Sequence, residues 1–481
     1  MFRYQPIRKL LAPLSVVLCL LLVGPPPGAG QTAGNSASAG SSQFQGSVPT
    51  GQATGTTLQL SLKEAIDRAL KYNLGKVESD QATRAAHAAR LRSLNALLPN
   101  LTGQVGAAVE QINLKALGFN LKIPIPGVRI PTIVGPFSVA DARAYLSQEV
   151  FDWSDIKSLK SASASEQASH YAYKNDRDLV VLVTGTAYLQ VISDAATVES
   201  DRAQVKTDQT LYDQDVDQNK SGVIASIDVL RAHVQLQAQQ QQVIAAENQL
   251  AIDKLALGRV IGLPNGQQFE LTDSVPYAPL GDITLEQALQ QAYTTRADYL
   301  SAKGQVRAAE LARQAAVAEN YPSLASDVNY GDIGSPNFAS SHGTFTFAAT
   351  LNIPIFPGTR VRADKLQADA ALEQRRAELA DLGGKIDAQV RTAFFNLKSS
   401  SDLVAVAQSN IELANQTLAQ ARDRFRAGVT NNLEVVQAQQ SVAAANQSYI
   451  DSLYAFNLAK ISLAQAIGIA EESALQYLGV R

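Results

Sequence analysis

The chain is written twice. Ser61-Leu62-Lys63-Glu64-Ala65 returns 223 residues later as Thr284-Leu285-Glu286-Gln287-Ala288, and at the same offset Leu98-Pro99-Asn100-Leu101 returns as Tyr321-Pro322-Ser323-Leu324. Further on the offset falls to 206. There Thr186-Ala187-Tyr188-Leu189 matches Thr392-Ala393-Phe394-Phe395, and Gly222-Val223 matches Gly428-Val429. Two copies of about 200 residues imply one architecture with internal pseudo-symmetry. They fall at residues 58–271 and 272–481.

Residues 1–30 read as a secretory signal. Arg3, Arg8 and Lys9 precede an apolar stretch from Leu10 to Val23, followed by Pro25-Pro26-Pro27-Gly28. That stretch is shorter than the roughly 20 residues a spanning helix needs. It also holds the only cysteine, Cys19, so the exported chain relies on packing and assembly rather than disulfides. Loss of three basic residues and no acidic one takes the formal charge from −3 to −6, which excludes a basic nucleic-acid-binding protein. No other stretch reads as a transmembrane helix, so any membrane contact is expected through β-strands. Gln31 to Thr57 is rich in Ser, Gly, Ala, Thr and Gln and reads as a disordered leader.

Each copy follows one plan. A helix at 61–97 or 284–320 is closed by Pro99 or Pro322, because the residue before proline is pushed out of the helical region. The period then changes from about 3.6 to 2. Phe345, Phe347, Ala349, Leu351 and Ile353 alternate with Thr344, Thr346, Ala348, Thr350 and Asn352. Four strands are expected, at about 101–110, 140–151, 324–331 and 344–355. Their length of roughly ten residues suits a tilted membrane strand. Next come proline-free stretches at 154–219 and 359–426, each a helix of more than 60 residues. Such a helix is about 100 Å long at 1.5 Å per residue. Return helices follow at 226–262 and 431–468, with a C-terminal tail beyond. Val404, Ala407, Ile411, Ala414, Leu418, Ala421 and Phe425 keep 3-4 spacing, a coiled-coil seam. The fold class is mostly α with membrane β. Four strands leave two unpaired edges, which lipid does not tolerate, so the chain is expected to oligomerise cyclically. Three copies give 12 strands and a periplasmic α-barrel.

This plan resembles the TolC-type outer-membrane factors over about residues 58–470. The most specific motif is the helix–helix turn Phe425-Arg426-Ala427-Gly428-Val429-Thr430, followed by Leu433-Glu434-Val435. Repeat 1 carries Asn219 where the family has an aromatic, then Gly222-Val223 and Ile227-Asp228-Val229. The resemblance implies a homotrimeric, passive duct in the outer membrane that reaches into the periplasm. It implies an inner-membrane transporter and a periplasmic adaptor protein as partners, and no cofactor. Gly222, Val223, Gly428, Val429 and Thr430 then belong to the adaptor-docking tip turns, and Asp228, Glu434, Gln437 and Phe425 to the periplasmic gate. The family's second gate acid is Gln437 here, and its tip arginine would fall at Thr430. Asp228 and Glu434 have two readings: helix-dipole capping, or a ring of six carboxylates in a trimer that favours cations. The charges leading into the tips also have two. Asp213, Asp215 and Asp217 could form an ionic lock with Arg422, Arg424 and Arg426 across neighbouring hairpins, or all six could be a solvated face.

The loop 111–138, with Ile123-Pro124-Ile125-Pro126, belongs at the extracellular end, either folded over the mouth or loose. His87, His170, His233 and His342 are scattered and no catalytic or metal motif is present, so neither an enzyme nor a metal site is expected. The alternative of a periplasmic coiled-coil scaffold without a pore leaves the alternating strands unexplained.

Overall fold

The computed structural model describes residues 43–479 apart from 117, 119–130, 274–276, 280, 282, 336–339 and 431. The signal segment, the start of the leader and residues 117 and 119–130 of the expected loop 111–138 lie outside the described residues; the flanking strands reach further into that loop than expected, to Asn113 and from Ile133. Each copy opens with a capping box, in which Ser61 and Glu64, or Thr284 and Gln287, satisfy each other's backbone N–H groups. The first helix of each copy, expected unbroken, is broken once. Helix α1 (Leu62–Tyr72) gives way to α2 (Leu74–Asn95) at Asn73, and α5 (Leu285–Thr295) to α6 (Ala297–Ala318) at Arg296. The two breaks are 223 residues apart, the offset of the repeat itself. Asn73 is extended (φ −63°, ψ 135°) because its side chain finds partners off the helix. It accepts from Gly75 N at 3.0 Å and donates to Phe44 O at 2.6 Å.

Phe44 also corrects the expected leader. It is buried within a 3-10 turn, Gln43–Gln45, and Ser47 bridges to Asn73. One large apolar residue is enough to dock the end of a polar segment. Strand β1 (Leu58–Leu60) then pairs in parallel with β4 (Phe269–Leu271), joining the two ends of repeat 1.

The membrane-type strands are β2 (Asn100–Asn113), β3 (Ile133–Phe151), β5 (Ser323–Gly334) and β6 (His342–Asn352). They form one antiparallel sheet in the order β2-β3-β5-β6. Strand β6 stops at Asn352, before the expected 355, because Pro354 has no N–H to give the ladder. The register sets Leu101, Leu146, Val328 and Phe347 in one row, and Gly103, Ala144, Tyr330 and Phe345 in another on the same face. The rows between them hold Thr102, Tyr145, Asn329 and Thr346, or Gln104, Arg143, Gly331 and Thr344. One face is therefore apolar and the other polar. Leu101, Val105, Val109, Phe345, Phe347 and Leu351 all stand exposed, an arrangement that water disfavours and lipid stabilises.

From the sheet, α3 (Trp153–Lys220) and α7 (Arg360–Arg426) run out for 68 and 67 residues, about 100 Å. Helices α4 (Ser226–Val260) and α8 (Asn432–Ile467) return. Val404, Ala407, Leu418 and Ala421 of α7 are buried, as are Val442, Phe456 and Leu463 of α8. Contrary to the sequence reading, α3 is long and apolar enough to cross a membrane by length and composition. Its Val180, Val181, Leu189 and Val191 are instead buried in the core around β1 and α1. The C-terminal tail is helix α9 (Ala470–Leu478). It is held by Arg177 on Glu471 and by Asp178, which accepts Glu471 N at 2.9 Å.

Candidate functional site at the hairpin tips

Both long helices stop by the same device. Gly222 has φ 75° and Gly428 has φ 71°, a left-handed conformation that costs glycine least. In repeat 1, Gly222 N donates to Asn219 O and Val223 N to Gln218 O, both at 2.9 Å. In repeat 2, Gly428 N donates to Phe425 O and Val429 N to Arg424 O, both at 3.0 Å. These paired bonds close a Schellman turn and satisfy carbonyls the helix end would leave free. The two turns are braced differently. Phe425 packs on the cluster of Leu211, Leu418, Ala421, Val435 and Val436. Asn219, in the corresponding place, donates to Ile224 O at 2.9 Å and so ties the turn by a hydrogen bond instead.

The gate carboxylates are not bare. Arg231 lies 3.2 Å from Asp228. Glu434 is held twice, by Arg424 at 3.2 Å and by the Thr430 hydroxyl, which donates to its other oxygen. Thr430 thus contributes a hydroxyl where the resemblance placed an arginine, and Arg424 supplies the charge from across the turn. The sequence signal for this pair was present but distant, ten residues apart on either side of a reversal. Gln437 is exposed.

The six candidate lock residues do not pair with one another within the chain. Asp213 accepts from Gln209 at 2.8 Å, Lys220 lies 3.1 Å from Asp217, and Arg426 lies 3.5 Å from Asp423. The cleft that holds Arg422 and Arg426 is lined from α3 by Gln214 and Gln218, not by the aspartates. Asp213 and Asp217 remain exposed, as do Arg424 and Arg426. Asp215 departs from the sequence reading altogether. It is 0% exposed and accepts from the Asn432 side chain at the start of α8. Burial pushes its carboxyl from the ordinary 3.8 up to about 6, against the lowering effect of Asn432. It cannot join a surface lock. No group of three or more metal-ligating side chains occurs among the described residues.

Val223, Ile227, Leu230, Val429 and Leu433 are exposed around both turns. Ile227, Leu230 and Val234 of α4 face Leu433 and Val436 of α8 across a groove.

An unclosed antiparallel sheet with one apolar face, carried on two helical hairpins about 100 Å long, is the subunit form of an outer-membrane channel. Residues 138–263 and 285–469 match the outer membrane efflux protein family, and the chain belongs to that family. Its members are channel proteins rather than enzymes. The chain is 23% identical over 408 residues to outer membrane protein TolC of Vibrio cholerae, covering 83% of this chain and 90% of that one. A solved membrane protein from Pseudomonas aeruginosa superposes with a TM-score of 0.73 at 18% identity, covering 88% of this chain and 95% of that one. The Campylobacter jejuni CmeC outer membrane channel superposes with 0.72 at 15% identity, covering 89% and 92%. These two likenesses establish the shared fold.

Proposed function

We propose that this chain is one third of a passive export duct, joined in the periplasm to an adaptor protein and an inner-membrane transporter. The observation that carries the reading is the sheet. Its edge strands β2 and β6 each keep one edge unpaired among the described residues, and its apolar face is exposed along both of them. Unpaired backbone groups cost several kcal/mol each in lipid. Cyclic closure of three chains removes every edge and gives 12 strands, within the range of outer-membrane barrels. The hairpins then assemble into a helical tube below the barrel. The groove between α4 and α8, with Val223 and Val429 beside it, is the adaptor-docking surface.

In this assembly Asp228 and Glu434 contribute six carboxylates near the periplasmic mouth, partly offset by Arg231 and Arg424. Exposed Asp213 and Asp217 of one chain face a neighbour's Arg422, Arg424 and Arg426, and the closed state rests on those pairs together with Phe425. Reconstituted protein should conduct ions in planar bilayers with a preference for cations. Replacing Asp228 and Glu434 together by Ala should reduce that preference. Conductance with unchanged selectivity would assign both carboxylates to helix capping, and absence of any conductance would remove the duct.

A further inference from the structure

Asp194, Asp201, Asp208 and Asp215 lie seven residues apart on α3, so they share one face. None is in an ion pair among the described residues. All four instead accept from side-chain amides: Gln190 on Asp194 at 2.8 Å, Gln239 on Asp201 at 3.0 Å, Gln204 on Asp208 at 2.7 Å and Asn432 on Asp215. Burial is the leading influence on each, and it raises every one. Helix α8 answers with amides at the same spacing, Asn432 and Gln439, both 1% exposed. Helices α3 and α8 run antiparallel, so the register that sets Asn432 on Asp215 brings Gln439 to the level of Asp208.

The hydrogen bonding along this seam is incomplete in a specific way. Asn432 Nδ2 donates to Asp215 Oδ2, and then Asp215 Oδ1 and Asn432 Oδ1 are both buried without a partner. Two buried acceptors at this contact lack a protein donor. Asp208 Oδ2 and both amide atoms of Gln439 are left in the same condition. A buried unpaired acceptor costs about 1–3 kcal/mol. A single proton on Asp215 Oδ1 resolves both vacancies. The carboxylic acid donates to Asn432 Oδ1 while Asn432 Nδ2 donates to Asp215 Oδ2, a cyclic acid–amide pair.

We propose that the α3–α8 seam is a proton-binding site, in which protonated Asp215 closes on Asn432 and holds the two hairpins of one subunit together. This rests on the channel reading for its consequence, because the seam joins the two hairpins whose relative position sets the periplasmic opening. The charged groups around Asp215 do not supply the missing donor. On α3, Asp213 and Asp217 are exposed. On α4, Asp228 is engaged by Arg231 and adds to the upward shift of Asp215. On α8, Glu434 is engaged by Arg424 of α7. Arg422 and Arg426 of α7 lie in the cleft with Gln214 and Gln218 and make no ion pair with Asp215.

The sign follows from the direction of the shift. In an opened, hydrated seam Asp215 titrates near 3.8, and in the packed seam near 6. Packing is then fully favoured below the lower value, weakens as pH rises between the two, and is weakest above the higher one. The packed-to-open ratio should change by about a hundredfold per subunit across that window. Acid therefore shuts the duct.

The test is single-channel recording of the full-length trimer from neutral pH down to about pH 4 at fixed salt, on the wild type, Asp215→Asn and Glu199→Gln. Glu199 is an exposed carboxylate of the same helix. Wild type and Glu199→Gln should lose open probability as pH falls. Asp215→Asn carries its own amide donor, so it should stay mostly closed at every pH. Equal pH responses in wild type and Asp215→Asn would overturn the proposal, as would a flat wild-type response. Closure that follows cation concentration at fixed pH would identify a cation site instead. Infrared difference spectra of the same trimers, taken near pH 5, should show a protonated-carboxyl carbonyl band that is weaker by one carboxyl per subunit in Asp215→Asn, where Asp194 keeps its own contribution. That difference decides the proton site even if no conductance is found, and its absence would rule the site out.

Discussion

Arg296 offers a quantitative test of how the helices of repeat 2 are fastened to one another. It lies at the break between α5 and α6 with 4% exposure. Its guanidinium reaches Asp298 through Nε at 3.0 Å and Nη2 at 2.6 Å, and through Nη1 it reaches Gln389 of α7 at 2.8 Å and Ala466 O of α8 at 3.2 Å. One side chain therefore ties three helices together. Gly468, with φ 85°, lets α8 end against it, and a Cβ there would fall 2.7 Å from Arg296 Cα. Arg296→Met keeps most of the packing and removes all four bonds. Breaking a buried pair costs about 3–5 kcal/mol. Asp298 is 23% exposed at its side chain, so water recovers part of its loss, and about 3 kcal/mol is expected. Arg391→Met is the control. Its pair with Asp387 at 2.7 Å is nearly half exposed on both sides, where solvent screening leaves it little net effect on stability. Denaturant unfolding of detergent-solubilised protein should show a large midpoint shift for Arg296→Met and almost none for Arg391→Met. Adding Asp298→Leu should restore part of the stability, since the stranded carboxylate is then gone. Equal midpoints for the two arginine variants would refute the reasoning.

Gly428→Ala meets no atom within 4 Å, so its cost is conformational alone, about 1–2 kcal/mol. Hydrogen exchange should quicken at the 425–435 turn while the assembly stays intact. Lys460 is 0% exposed with no hydrogen-bond partner, and burial lowers its ammonium from 10.5 to about 8. Its stability cost is fully present below the folded value and disappears as pH rises towards 10.5. Lys460→Met should raise the unfolding midpoint at neutral pH, with the gain shrinking in alkali. Reversing Arg424 and Arg426 to Glu should increase antibiotic leakage into cells, and adding Asp213→Lys and Asp217→Lys should reduce it again. Leakage unaffected by the second pair would mark these charges as a solvated face.

Much of the fold was legible because repetition and periodicity are statistical properties of long elements. The proline-free stretches, the glycines at 222 and 428, and the alternation from Thr344 to Asn352 each depend on many residues or on a strict φ requirement. Most of the misses turn on single side chains with distant partners. Asn73 and Arg296 break helices for bonds to residues 29 and 170 positions away. Phe44 docks a leader whose composition otherwise argues for disorder. At the tips, spacing grouped Asp215 with Asp213 and Asp217 by charge. The fold separates it from them, because only position 215 falls on the face packed against α8. The pairing of Arg424 with Glu434 likewise depends on the turn bringing two helices together, which sequence spacing does not encode.

The most direct test of the central claim is whether the edges β2 and β6 meet between chains. Cys19 is the only cysteine in the sequence, so its replacement by Ser gives a clean background. One cysteine at Val105 on β2, combined in turn with one at each position from 343 to 351 on β6, samples every register of the closing seam. Closure by three chains predicts that at least one pairing oxidises to a covalent trimer with dimer and no larger ladder. A protein that stays monomeric under oxidation in every pairing would contradict a closed trimeric barrel.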